Sequence, residues 1–316
     1  MKVLITGAGG YMGSQLIDKF SKLEFEVTGA TTNPSLCKNF TGDFDIREID
    51  WSQNESLVEL CSNQDVVIHA AGMNHSECQQ NPVKAREFNG EKTSQLVAAA
   101  VEKKVKSFFY ISTIHVYADP LVGRFNEKSQ SKSSQAYATS HFIGESAVLD
   151  RIEKAQISGK VIRVGNSFGL PALPAKESSW NSFVNQSCKN LVKNGEIVIR
   201  NNPHTQRDFV PMSYFLNQMC EIVNGERGND QDIINLVTGE SRSLIEMSQI
   251  IQKQFLEFGN VSNSSRIVFE PTNAKAEELK VWNSRPEVLG ATQLSEVANE
   301  INRMLQYLVQ EATDGV

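Results

Sequence analysis

With 316 residues, 40% of them hydrophobic, and a formal net charge of -6, the chain can bury a substantial core and lacks the basic excess of a nucleic-acid-binding surface. Its five cysteines, Cys37, Cys61, Cys78, Cys188 and Cys220, have no paired spacing, which argues against a disulfide scaffold and fits reduced thiols. No apolar run is long enough to span a bilayer, and the chain opens on a strand pattern rather than a signal peptide, so a cytoplasmic protein without a membrane partner is expected.

Val3-Leu4-Ile5 reads as a buried strand, followed at once by Thr6-Gly7-Ala8-Gly9-Gly10-Tyr11-Met12-Gly13. A helical pattern with Leu16, Ile17 and Phe20 on one face comes next. In that strand–loop–helix context, Gly7 serves a tight turn, Gly10 a close backbone approach to a pyrophosphate, and Gly13 the packing of helix on strand. Backbone N–H groups at the helix start, including those of Tyr11 and Met12, then face the phosphates. Glu26–Thr31 reads as a second strand, Leu57–Cys61 as helix, and Asp65 to Ala71 as a strand entering a small-residue loop. Pro82 to Lys103 predicts a long helix, Phe108–Ile111 a strand, Tyr137 to about Glu153 a helix, and Val161–Val164 a strand. After Gly165 the pattern breaks up, and Pro171 to Asn185 suggests a lid of loops. Ile233–Leu236 is one more strand, and Leu244–Phe255 and Glu296–Leu308 are helical. Alternation of this kind predicts an α/β fold, a doubly wound parallel sheet with ligands at the carboxyl ends of its strands. The run His75-Ser76-Glu77-Cys78 lacks the matching ligands of a metal site and reads as a polar loop or helix start; no metal is expected.

Several segments together resemble the extended short-chain dehydrogenase/reductases, best known for acting on nucleotide-linked sugars. They are the glycine motif, His69-Ala70-Ala71-Gly72, Asn89, Ser112-Thr113-Ile114-His115-Val116-Tyr117, Tyr137-Ala138-Thr139-Ser140-His141, Asn166-Ser167-Phe168-Gly169 and Gln206-Arg207-Asp208-Phe209-Val210. The resemblance implies a Rossmann-type cofactor domain at 1–165 with a returning segment near 209–240. A smaller, interleaved substrate-binding region would take 166–208 and 241–316. It implies Tyr137 as acid/base and Thr113 as its hydrogen-bonding partner in hydride transfer to or from a nicotinamide. Family members carry a lysine four residues after the tyrosine, one helical turn away, where it acidifies the phenol and holds the nicotinamide ribose. Here His141 stands there, only partly charged near neutrality and still able to donate to a ribose hydroxyl.

The same resemblance lays Ala70, Ala71, Gly72, Asn89 and Ser112 along the cofactor and sets Asp50 and Trp51 beside its adenine. At the end of the second strand stand Thr31, Thr32 and Asn33 with no acid, so a 2′-phosphate is not repelled and Lys38 is near in sequence. That leans toward NADP over NAD. His115, Asn166, Arg207 and Arg285 match substrate-side positions. Ile114-His115 replaces the acidic pair that family dehydratases carry after the threonine, leaving epimerisation or keto-sugar reduction. The alternatives are an NADPH-dependent reductase of a small carbonyl compound, or a catalytically weak NAD(P)-binding sensor. A homodimer paired through the helices near Pro82 and Tyr137 is also implied. Ala98, Ala99 and Ala100 suit either that close packing or a monomer core.

Overall fold

A computed structural model describes residues 1–38, 40–172, 180–225, 232–258, 265–284 and 294–314. Its first half runs β1 (Lys2–Thr6), α1 (Tyr11–Phe20), β2 (Glu26–Thr31), β3 (Phe44–Glu48), α2 (Asn54–Cys61), β4 (Val66–His69) and α3 (His75–Gln80). Next, α4 (Pro82–Ala85) passes through a π-helical turn, Arg86–Lys92, into α5 (Thr93–Glu102). β5 (Ser107–Thr113), β6 (Gly123–Phe125), α6 (Ala136–Glu153) and β7 (Ser158–Val164) follow. The second half holds β8 (Asn166–Phe168), α7 (Phe183–Asn194), β9 (Glu196–Ile199), β10 (Gln206–Pro211), α8 (Met212–Val223) and β11 (Ile233–Leu236). It ends with β12 (Ser241–Ser243), α9 (Leu244–Glu257), β13 (Arg266–Phe269), β14 (Leu279–Val281) and α10 (Leu294–Asp314).

Seven parallel strands form the central sheet in the order β11-β7-β5-β4-β1-β2-β3. Both faces are buried, which is why the strands read as continuous apolar runs. Val3 and Ile5 point into a cluster with Leu16, Ile17, Phe20, Phe215 and Met219, and Leu4 points the other way onto Leu57, Leu96, Val97 and Phe108. The chain leaves β1 toward β2 and β3, then returns to pair β4 on the other side of β1. Thr6 at the end of β1 therefore lies opposite His69 at the end of β4. Ligand sites in such sheets form at this reversal of strand order. A separate core of Phe168, Val184, Leu191, Leu244, Ile251, Ile301 and Met304 lies among α7, α9 and α10.

Two local departures from the sequence pattern have plain causes. β3 went unforeseen although Phe44 and Ile46 alternate with Asp45 and Arg47, because the run is short and three of its five residues are charged, as suits an edge strand. Ser182–Asn185, expected as lid loop, instead begins α7, because Val184, Cys188 and Leu191 recur at helical spacing and are buried, and Gly195 ends the helix at a left-handed φ of 71°. Of that expected lid, residues 173–179 lie outside the described residues. All five cysteines are free and buried, and no described helix is long and apolar enough to cross a membrane. Among the described residues no His/Cys/Asp/Glu cluster could hold a metal; His75–Gln80 is a helix with an Asn74–Glu77 capping box.

Candidate functional site

The glycine loop is shaped by clearances that no side chain would fit. Gly7 adopts a φ of +79°, and a Cβ there would stand 2.8 Å from the Ala71 nitrogen and 2.9 Å from the Ala70 carbonyl. At Gly13 it would fall 2.1 Å from the Gly7 oxygen. Gly10 is the N-cap of α1, and no side chain caps that helix. The result is a backbone cradle at a positive helix end, which fits the pyrophosphate of a dinucleotide. Tyr11 and Met12 contribute to it through their backbones. The Tyr11 hydroxyl turns away to donate to the Gly169 carbonyl at 2.9 Å, and Met12 packs on the core. Gly13→Ala should therefore lower dinucleotide affinity by at least about 100-fold in calorimetry, since the backbone of the cradle must move to admit the methyl; an affinity within threefold of wild type would refute this.

At the outer rim, Thr31 is buried and its hydroxyl accepts from the Asn33 N–H at 3.3 Å. Asn33 caps a 3-10 turn, accepting from the Ser35 N–H at 3.2 Å and its hydroxyl at 2.5 Å. Thr32, Asn33 and Lys38 are exposed. The Asp50 carboxylate accepts from the Ser52 N–H at 2.9 Å, the Ser52 hydroxyl at 2.6 Å and Gln53 Nε2 at 2.9 Å; these bonds hold it below the usual carboxylate range. Trp51 is only 8% exposed and packs against Phe88 and His69 with centroids 5.3 and 5.8 Å apart. Asp50 and Trp51, the residues expected beside the adenine, thus follow β3 with the carboxylate held in a turn and the indole packed on Phe88 and His69.

Beneath the cradle runs a buried relay whose proton positions follow from its chemistry. The Thr93 hydroxyl donates to the Asn89 carbonyl at 2.8 Å, so it must accept from His69 Nε2–H at 2.9 Å. His69 Nδ1 then accepts from the Thr6 hydroxyl at 2.7 Å, and the Thr6 oxygen in turn accepts from the Ala71 N–H at 3.3 Å. Burial, reinforced by nearby His141, pushes His69 down to about 3, so the ring stays neutral. The relay fixes Ala70-Ala71-Gly72 against Gly7. The Asn89 side chain clamps the next residue, accepting from the Met73 N–H at 2.7 Å and donating to its carbonyl at 3.3 Å.

Tyr137 sits on the first turn of α6, and its hydroxyl is hydrogen-bonded to Thr113 at the end of β5. Three imidazoles surround its ring edge-on: His141 at 4.7 Å, His75 at 5.8 Å and His115 at 6.2 Å between centroids. Among these neighbours there is no ammonium. Burial raises Tyr137 to about 12, the Thr113 bond offsetting part of the rise. The expectation of a partly charged His141 is corrected here: burial, with His115 nearby, pushes it down to about 4, so it is neutral at pH 7. A Cβ at Gly72 would lie 3.6 Å from His141 Cε1 and 3.9 Å from Nε2, which puts that ring edge against the loop that follows β4.

On the opposite side, His115 is hydrogen-bonded to Asn166 and is also pushed down to about 4, by burial first and then by Arg207 and His75. Asn166 donates through Nδ2 to the Asp208 carbonyl at 3.2 Å. Arg207 pairs with Glu277 at 2.5 Å rather than with its neighbour Asp208. The Asp208 carboxylate is buried, accepting from the Thr238 N–H and hydroxyl and the Gly239 N–H. Ser112, the residue expected along the cofactor, donates to Glu145 at 2.6 Å. Arg285 lies outside the described residues.

The sequence reading missed three participants. Glu145 and Arg163 form a buried ion pair at 2.6 Å under Thr113, and Tyr110 bonds His141. Glu145 was detectable, since Tyr137, His141 and Glu145 recur at four-residue steps on one face of α6.

Residues 3–236 match the NAD dependent epimerase/dehydratase family. Human dTDP-D-glucose 4,6-dehydratase is 23% identical over 312 residues, covering 91% of this chain and 86% of that protein. Two solved structures share the fold. UDP-glucose 4-epimerase from Thermotoga maritima with UDP-glucose has a TM-score of 0.81 at 15% identity, over 99% of this chain and 100% of that one. UDP-glucuronic acid 4-epimerase from Bacillus cereus, with UDP-glucuronic acid and NAD, has a TM-score of 0.78 at 18% identity, over 98% and 99%.

Proposed function

Because the chain belongs to the NAD dependent epimerase/dehydratase family, we propose that it transfers hydride between a nicotinamide dinucleotide and a carbon of a nucleotide-linked sugar. The observation that carries this reading is the Tyr137–Thr113 hydroxyl pair, linked to the glycine cradle through His141, Gly72 and the Ala70-Ala71 backbone that confines Gly7. When bound, the nicotinamide supplies or accepts the hydride. Tyr137 holds the proton of the reacting hydroxyl or carbonyl oxygen, and Thr113 orients it. His115, Asn166 and Arg207 would face the substrate, Arg207 through a guanidinium already steered by Glu277.

A phenol held neutral is the form that gives up a proton, which favours reduction of a keto sugar at neutral pH, with epimerisation as the internally recycled version of the same step. Neutral side chains at Thr31, Thr32 and Asn33 leave the dinucleotide choice to Lys38, the exposed cation next along the chain, and support the lean toward NADP. Residues 1–165 with the returning segment near 209–240 would hold the cofactor, and 166–208 with 241–316 the sugar. Val83 and Phe142, 79% and 43% exposed on α4 and α6, support a homodimer through that face, whereas Ala99 and Ala100 are spent on the monomer core. A cytoplasmic setting suits the five free thiols.

The test is mass spectrometry of nucleotide released from the untagged, denatured protein, followed by turnover assays on UDP-, GDP- and dTDP-sugars. Retained dinucleotide with interconversion of sugar epimers and no cofactor consumption would identify the epimerase cycle. An empty site with NADPH consumed per sugar reduced would identify the reductase. A second reading, a dinucleotide-binding sensor, is favoured by the lack of a cation beside Tyr137 among the described residues. Tight dinucleotide binding with no sugar product would support it and overturn the first.

A further inference from the structure

Which nitrogen of His141 carries the proton follows from the groups around it. Tyr110 of β5 is 1% exposed, and its hydroxyl oxygen lies 2.9 Å from His141 Nδ1 and 3.3 Å from the Asn89 carbonyl. A carbonyl only accepts, so the Tyr110 proton goes to Asn89, whose second lone pair takes the Thr93 hydroxyl. In that arrangement His141 Nδ1 donates to the Tyr110 oxygen, leaving Nε2 with its lone pair. The reverse assignment would leave the Tyr110 and Asn89 oxygens facing each other with no proton between them.

Two further features are built around this contact. A Cβ at Gly144, in the interior of α6, would lie 2.5 Å from the Asn89 oxygen and 2.7 Å from the Tyr110 hydroxyl. Glycine inside a helix is about 1 kcal/mol less favourable than alanine, and here it admits both oxygens. The Tyr110 ring is held from its other side by stacking on His69, centroids 5.4 Å apart and planes 25° from parallel.

We propose that Tyr110 is a positioning residue that holds His141 as the Nδ1–H tautomer, so that His141 presents a proton-accepting Nε2 beside Gly72. An ammonium at this place could only donate. His141 instead accepts, and the ligand group it suits is a hydroxyl or N–H rather than an anion. The role in turnover rests on the function proposed above, whereas the tautomer does not.

The experiment is a long-range proton–nitrogen correlation spectrum of the 15N-labelled full chain without substrate. The expected result is a pyrrole-like Nδ1 and a pyridine-like Nε2 for His141 in the wild type, moving toward a tautomer mixture in Tyr110→Phe. An Nε2–H tautomer in the wild type overturns the proposal even if the variant fails to fold, and so does an unchanged tautomer in a folded variant. In an active enzyme, Tyr110→Phe should lower kcat about tenfold with cofactor affinity within about twofold; an unchanged kcat overturns the positioning role. A wild type without turnover refutes the proposed function while the spectrum still decides the tautomer.

Discussion

Tyr137→Phe is expected to slow hydride transfer by about a thousandfold, within the range for removing a general acid–base group, while leaving dinucleotide affinity almost unchanged. The ring remains to pack against His75, His115 and His141, and only the hydroxyl bonded to Thr113 is lost. The pH dependence separates this site from one run by a lysine. Tyr137 is raised from 10.0 to about 12, so its protonated form fills the whole neutral range. Reduction, which needs the phenol proton, should be flat across neutrality and fall only as pH approaches the raised value. Oxidation, which needs the phenolate, should climb through neutrality and beyond. His141 and His115 are lowered from 6.5 to about 4, so they are already neutral above pH 5 and add no limb at their ordinary value. Single-turnover nicotinamide absorbance at a series of pH values provides the check. A limb near 6.5 would show a titrating imidazole in control, and residual activity near wild type in Tyr137→Phe would remove Tyr137 from the chemistry.

What the sequence disclosed and what it hid divide along a physical line. The glycine cradle was legible because its spacing is a local signature: a side chain at Gly13 would clash with the Gly7 backbone six residues earlier, although Gly7 itself is confined by Ala70 and Ala71 just after β4. Tyr137 and His141 were legible for the same reason, one helical turn apart on α6. Contacts joined only by the fold were not. Thr6 and His69 are separated by 63 residues, and only the parallel register of β1 and β4 makes them neighbours. His75, read as a polar loop or helix start, and His115, matched to a substrate-side position, meet at Tyr137 because α3, the turn after β5 and α6 converge there. Charge state was hidden too: the chain names a histidine at 141, but burial decides that it is neutral.

The largest stability effect should come from Glu145. Its carboxylate meets Arg163 NH2 at 2.6 Å and Nε at 3.0 Å, with side chains 0% and 3% exposed, and also accepts from Ser112. Glu145→Ala leaves a buried guanidinium that stays charged, because a guanidinium is too basic to give up its proton inside a protein, with the Tyr117 ring 4.8 Å from the Arg163 carbon still beside it. Stranding one partner of a buried pair costs about 3–5 kcal/mol, whereas replacing both with apolar side chains of similar volume is often neutral. Urea denaturation of Glu145→Ala should show a loss of that size, and Glu145→Leu with Arg163→Met should recover most of it. The pair also ties α6 to β5 and β7 one residue below Thr113, so a stable double variant isolates its second effect. If the charges hold the Tyr137–Thr113 distance, kcat falls in the double variant although stability returns. If kcat returns as well, the pair stabilises the fold without positioning the site. A loss below about 1 kcal/mol in Glu145→Ala would mean that water reaches Arg163 and that the burial seen here is not maintained in solution.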